Sequence, residues 1–310
     1  MNFAGAKAVA KWVWTLGILA IIVWFCATRW DRIVQTLEML PVSTIALAML
    51  AIALAKFGLV LTMRTAAIGA GLPLSLTDSF WIYNTTQLGK YVPGSIWQFV
   101  GRVVILKRRG ATSATIRDAM LAEHGWVLAT AIGLSAVLIL IAKPTFFIEW
   151  ADSMDTSPFL WLALIAGTIG LVFAGGLAFY RGRLLRWIWR MRPPVSALLV
   201  LALTWLLLGL SYWITLAPFA SVSVPWHYAI GIYCFAYIAG FMVPFAPAGL
   251  GIRESILTFA MLPYLPIETS VLLASMNRVL YFAVELIVVL PCLLMNRDGK
   301  DSALASGGGG

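Results

Sequence analysis

GKYVPGSIWQFVGR, residues 89–102, puts a Pro-Gly break and two cations into an apolar stretch. Pro93 has no amide hydrogen and cannot continue a helix. Gly94 tolerates backbone angles that other residues avoid. Lys90 and Arg102 bracket the pair. The fold turns on whether the chain crosses a membrane here or turns back.

Composition supplies the membrane. Of 310 residues, 61% are hydrophobic and 11% charged, against roughly half and a quarter in soluble domains. Runs 9–27, 42–63, 120–142, 159–180, 195–216 and 269–295 each approach or exceed the ~20 residues that cross about 30 Å of hydrocarbon. The net charge of +9 resides mostly in the loops between these runs. It reads as a topology signal and as contacts to anionic lipid, not as a nucleic-acid surface.

Those cations orient the spans. Lys7 and Lys11 precede the first, and Lys107, Arg108, Arg109 and Arg117 precede the third. Arg181, Arg183, Arg186, Arg190 and Arg192 follow the fourth, and Arg297 and Lys300 follow the sixth. The positive-inside rule makes all of them cytoplasmic. This implies an inner (cytoplasmic) membrane protein with both termini in the cytoplasm. The loop 143–157 carries Glu149, Asp152 and Asp155 and suits the outer side. Segment 181–192 interleaves its arginines with Trp187 and Trp189, as an interfacial helix or a short topology loop would.

A single crossing by residues 80–106 would put Lys107–Arg109 on the wrong side. The segment is therefore expected to enter, turn at Pro93 and Gly94, and return to the cytoplasmic face. Residues 229–262 pose the same problem from the outer side. They break at PFAPAGLGIRE, residues 244–254, which holds Pro244, Pro247, Gly249 and Gly251. The expected fold is an all-α polytopic membrane protein with six full spans plus two re-entrant broken-helix hairpins arranged as an inverted-topology repeat. Residues 1–150 form the first repeat (two spans, re-entrant 80–106, one span). Residues 151–297 form the second (two spans, re-entrant 229–262, one span), and 298–310 form a flexible tail. Paired interruptions at matching places point to a transporter's binding site.

Ionisable residues at membrane depth are functional candidates because burying an unpaired charge is costly. Lys56 falls within the second span, unless its long side chain snorkels to the cytoplasmic surface. Lys90 and Arg102 flank the first break, and Arg253 and Glu254 follow the second. Arg278, Tyr281 and Glu285 recur at helical spacing on one face of the last span. Arg278 has Glu254 or Glu285 as a possible structural partner, and Glu123 has Arg102. With Asn84 they form the expected substrate set: Asn84, Lys90, Arg102, Arg253, Arg278 and Tyr281. Glu123, Glu254 and Glu285 are the candidates for proton coupling or ion pairing. Helix N-termini at the two breaks would add positive potential.

Cys26, Cys234 and Cys292 have no paired spacing, and His124 and His227 are isolated. No metal site, disulfide framework or cofactor is expected. No Gly-rich nucleotide loop or paired-histidine motif appears, so the sequence does not point to an enzyme.

Two blocks resemble a known family. Asn84, KYVPGSIWQFVGR, the LKRRG that follows and Glu123 are similar to the first block of the lysylphosphatidylglycerol synthase transmembrane-domain family. PFAPAGLGIRES and Arg278 are similar to its second block. The resemblance covers about residues 79–290. That family includes the flippase domain of the multiple peptide resistance factor and stand-alone relatives associated with cell-envelope glycolipids or polyprenyl carriers. The resemblance implies a translocase with two re-entrant elements for a lipid or lipid-linked sugar. It leaves the lipid open. Trp97 and Gln98 stand where many relatives carry Gly and an acid, which implies a subgroup. The aminoacyl-transferase domain of the larger members is not in these 310 residues, so lipid synthesis is not expected of them.

The expected function is therefore a membrane transporter, or flippase, of an anionic lipid or lipid-linked saccharide (polyprenyl phosphate, glycolipid or phospholipid). The alternatives are a non-transporting subunit that scaffolds an envelope-biosynthesis partner protein, and a membrane-embedded lipid transferase using the same carboxylates.

Overall fold

The computed structural model describes residues 34, 38–91, 96–145, 187, 189–219, 223–243 and 246–294. Spans 9–27 and 159–180, most of segment 181–192, the tail, and Pro93, Gly94 and Pro244 lie outside them. The described chain is all-helical: α1 (Val42–Gly69), α2 (Leu76–Gln87), α3 (Trp97–Arg108), α4 (Ser113–Ala142), α5 (Val195–Leu216), α6 (Trp226–Met242), α7 (Ile252–Met261) and α8 (Ile267–Leu294). A 3-10 turn, Leu88–Tyr91, follows α2, and another, Pro247–Gly249, follows α6.

Prolines mark where four of these helices begin. The carbonyls of Pro41, Pro194, Pro225 and Pro266 accept from Ile45, Leu198, Ala229 and Ser270. Proline suits this place because its fixed φ starts a helix and its missing amide is not needed there. Ser75 and Thr112 cap α2 and α4 by accepting from the amides of Asp78 and Thr115. Gly110 ends α3 at φ +81°, which lets its own amide and that of Ala111 reach the carbonyls of Lys107 and Leu106.

α1, α4, α5 and α8 are long and apolar enough to cross a membrane, so the chain is a multi-pass membrane protein. They match the runs 42–63, 120–142, 195–216 and 269–295, with α1 and α4 extending further at one end. Their apolarity is two-sided. On α1, Ala48, Ile52, Ala55 and Leu59 are buried, whereas Leu47, Leu50, Leu54 and Phe57 are exposed on the opposite face. A helix apolar all round belongs in lipid.

α2 and α3 have 12 residues each, α6 has 17 and α7 has 10. At 1.5 Å per residue these reach about 18, 25 and 15 Å, short of the ~30 Å core. They pack instead as two antiparallel pairs. Asp78, near the start of α2, pairs with Arg109, just beyond the end of α3, at 3.1 Å. Tyr228, near the start of α6, donates to the Ala260 carbonyl near the end of α7 at 3.2 Å. Each pair is thus closed at its base, and the two 3-10 turns at the opposite ends touch each other.

α8 serves as a ruler for these two pairs. It starts just after the base of the α6–α7 pair. Arg278 then meets Ala248 in the second turn. Glu285 meets Lys90 and Tyr91 of the first turn. The Cys292 carbonyl, near the end of α8, accepts from Trp81 in α2 at 3.0 Å. The order is second base, second tip, first tip, first base. α4 reads it backwards. It starts beside the first base; Glu123 and His124 meet Arg102, Phe99 and Phe241 near the tips; and Ser135 reaches the Gly231 carbonyl, toward the second base. Exchanging α1–α4 for α5–α8 also maps every packed helix pair onto another packed pair or onto itself.

Close backbone contact holds the second tip. Gly249 has φ +73°, and a Cβ there would lie 2.8 Å from the Gly240 Cα. Gly249→Ala is expected to cost about 1–3 kcal/mol from the clash and the strained angle. Gly69→Ala, which meets nothing within 4 Å, leaves stability unchanged or slightly raised. Thermal melts of the two variants in the same detergent check this.

Candidate functional site

Glu285 ties three parts of the chain together. Its Oε1 accepts from the ammonium groups of Lys56 at 2.9 Å and Lys90 at 2.6 Å. Its Oε2 accepts from the Tyr91 hydroxyl at 2.8 Å. The Lys56 and Glu285 side chains are each 2% exposed. Lys56 therefore does not snorkel to the surface. An interior carboxylate compensates its charge more completely than a stretched path to water would, because an unpaired buried charge costs several kcal/mol. The Tyr281 ring lies 5.6 Å from the Lys56 nitrogen and 4.8 Å from that of Lys90. Its electron-rich face adds to their stabilisation.

Two further ion pairs join a short helix to a long one, with the charges exchanged. In the first, Arg102 of α3 meets Glu123 of α4 at 2.5 Å. In the second, Glu254 of α7 lies 3.6 Å from Arg278 of α8. The Arg278 guanidinium also donates to the Ala248 carbonyl. Glu254 accepts from the Gly251 amide at 2.7 Å. This satisfies a donor at the start of α7, so that helix terminus is partly occupied by its own carboxylate instead of being open to a ligand.

Arg253 is different. Its guanidinium carbon sits 5.3 Å from the Tyr233 ring and 5.2 Å from the Tyr237 ring. No ion pair forms on it among the described residues. Gly240 makes room for its stem, since a Cβ there would lie 2.6 Å from the Arg253 Cγ. Tyr233 and Tyr237 are one helical turn apart on α6, so their rings present a single cation-binding face.

These groups surround a cavity of about 290 Å³ between the two tips. Lys90, Arg253 and Arg278 reach its wall, with Glu123, Gln87 and Tyr281. Further around, Phe99, Phe241 and Leu59 make the wall apolar. The volume is near the lower end of the ~300–1,000 Å³ usual for ligand pockets, enough for a polar head group. This is a cation-rich, aromatic-lined chamber built where two interrupted helices meet.

Of the residues singled out from sequence, Lys90, Arg253, Arg278, Tyr281 and Glu123 line this chamber. So do Gly249 and Ala248 of the second turn, a turn that begins at Pro247. Gly251 is the cap of α7. Glu285 lies behind the wall and holds Lys90. Glu254 holds Arg278. Arg102, 2% exposed, supports Glu123 and does not line the chamber. Asn84 is buried and donates to the Phe80 carbonyl in its own helix. Sequence reading did not single out Tyr91, Tyr83, Tyr233 or Tyr237. The spacing of the last two on an interrupted apolar segment was the available signal. His124, isolated in the sequence, also lines the chamber, with its Nδ1 near the Met120 carbonyl.

No family model matches the chain, and no curated protein matches it.

Removing one partner of the Glu285 cluster strands two cations. Glu285→Gln is expected to destabilise the protein by about 3–5 kcal/mol. Adding Lys56→Met recovers a substantial part, because the stranded charge is gone. Chemical unfolding of both variants in mixed micelles reads this out, and equal stability of Glu285→Gln and wild type would show the cluster to be energetically neutral.

Proposed function

We propose that the protein moves an anionic lipid, or a lipid-linked sugar, between the leaflets of the inner membrane of the cell envelope. The head group passes through the chamber between the tips, and the hydrocarbon stays in the bilayer. The observation that carries this reading is the order of contacts along α8, in which two helix pairs too short to cross approach from opposite ends and meet at cations midway. In a membrane such pairs are re-entrant hairpins, one entering from each face. The reversed order along α4 supports an inverted-topology repeat. Runs 9–27 and 159–180 complete six spans in this scheme, with both termini cytoplasmic. Alternating access then follows from the halves rocking about a fixed site. The resemblance to the lysylphosphatidylglycerol synthase transmembrane-domain family fits the same scheme.

Charge chemistry selects the cargo. The cations that line the chamber, Lys90, Arg253 and Arg278, favour a negative group and oppose a positive one. The aromatic and aliphatic walls suit the glycerol, prenyl or sugar part next to it. Glu285 is an internal model for such a negative group, because its carboxylate already meets Lys90 at 2.6 Å.

Reconstituted in vesicles, the protein is expected to transfer a fluorescent anionic phospholipid between leaflets. Arg253→Ala should slow the initial rate at least tenfold with the protein still folded, because it removes the cation that forms no ion pair among the described residues. An unchanged rate in Arg253→Ala would take the chamber off the transport path. Vesicles with wild-type protein that move no lipid would favour the scaffold reading. Topology is checked separately, in a background lacking Cys26, Cys234 and Cys292. Single cysteines at Pro73 and Ser113 should be labelled from the cytoplasmic side, and those at Ser223 and Pro263 from the outside. Labelling of Pro73→Cys and Ser113→Cys from opposite sides would mean that the first pair crosses.

A further inference from the structure

The charges around the tips do not balance, and the imbalance is specific. Among the described residues at this level stand five cations, Lys56, Lys90, Arg102, Arg253 and Arg278, against three carboxylates, Glu123, Glu254 and Glu285. Two positive charges are left over. The pairing shows where they sit. Arg102 has Glu123, Arg278 has Glu254, and fully buried Lys56 has Glu285. Lys90 has only a share of a carboxylate already held by Lys56, and Arg253 forms no ion pair among the described residues and rests against two tyrosine rings. Both surplus cations line the same chamber.

Arg253 cannot relieve the excess by losing its proton, since a guanidinium stays charged in proteins. The quadrupoles of two tyrosine rings offset part of its charge and supply no counter-ion. A net excess of two charges in a largely apolar surround calls for a ligand bearing two negative charges. Among lipid head groups that requirement separates two chemistries. A phosphodiester carries one negative charge. A phosphate monoester carries nearly two above its second pKa, about 6, and offers three acceptor oxygens. The three oxygens suit a site whose donors arrive from separate directions, Lys90 from the first tip, Arg253 from α7 and Arg278 from α8.

We infer that the chamber is selective for a doubly charged phosphate, the monoester or terminal phosphate of a lipid, with Arg253 and Lys90 as its two counter-charges. This rests on the proposed function and narrows it to lipids that end in phosphate, with phosphodiester head groups disfavoured. Lys90 exchanges Glu285 for a phosphate oxygen on binding, and Lys56 keeps Glu285 neutralised meanwhile. The buried Lys56–Glu285 pair therefore survives both states, and only the Lys90 contact has to break.

Titration calorimetry on the full chain in nanodiscs tests this with three probes. They are hexyl phosphate, its methyl ester (a diester with one charge at every pH) and inorganic phosphate. At pH 8 hexyl phosphate should bind at least tenfold tighter than the diester. At pH 5, where the monoester carries one charge, the difference should vanish. Arg253→Ala and Lys90→Gln should each abolish the preference at pH 8, whereas Arg253→Lys should retain most of it. Thermal melts matching wild type in the same nanodiscs show that the variants are folded. Equal affinity for monoester and diester at pH 8 overturns the two-charge site, even if lipid transfer in vesicles is intact. Inorganic phosphate binding as tightly as hexyl phosphate supports the two charges and counts against a lipid as their source. Failure of all three to bind at millimolar concentration overturns the inference whatever the vesicles do.

Discussion

Hydrocarbon offers no hydrogen bonds, and this constraint shapes the molecule. A helix interrupted within it leaves amides and carbonyls that need partners from the protein or from enclosed water. Two interruptions are most easily satisfied in one place. The tips of the α2–α3 and α6–α7 pairs touch, and side chains from α7 and α8 serve the second. Glu254 accepts the Gly251 amide, and Arg278 donates to the Ala248 carbonyl. Charges recruited to serve broken backbone are themselves costly in an apolar surround. Each therefore carries its own partner, and the tips become an ionic cluster.

The cluster obeys the exchange that relates the two sets of helices, up to a point. Arg102–Glu123 and Glu254–Arg278 occupy corresponding places with the signs exchanged. The Lys56–Glu285 bond between α1 and α8 has no charged counterpart between α5 and α4. There Trp205 donates to the Thr130 hydroxyl at 3.1 Å. The half with the neutral contact still has a lone arginine at its tip, and the other half has a lysine on a shared carboxylate. The asymmetry thus concentrates positive charge on the chamber without leaving any fully buried cation unpaired.

Sequence made the scaffold legible where a strong local rule applied. Apolar length delimits α1, α4, α5 and α8, proline starts mark α1, α5 and α8, and run 195–216 coincides with α5. The break and the charge conflict around 80–106 called for a chain that doubles back, and α2 and α3 do lie antiparallel, with Asp78 beside Arg109. The site was legible as a set of residue types and much less as a set of contacts. Arg278, Tyr281 and Glu285 share a helix face whatever the fold. Nothing local says that Glu285 is taken by Lys56, 229 positions away, which leaves Arg278 for Glu254. Partner choice among buried charges depends on which helices adjoin, and one sequence does not carry that information. Tyr233 and Tyr237 escaped notice for the same reason. In an apolar run they look like ordinary packing until an arginine arrives from another helix.

The distribution of pairing separates support from contact with a ligand. If the charges served only to hold the tips together, three carboxylates would suffice for three cations, and Arg253 and Lys90 would be replaceable by apolar residues at a gain in stability. Their burial is tolerated because each has a partial substitute: two tyrosine faces for one, and part of Glu285 for the other. Both substitutes are weaker than a direct, unshared carboxylate contact, and both face the open chamber. A ligand with negative oxygens can therefore displace them without unseating the three pairs that hold the helices.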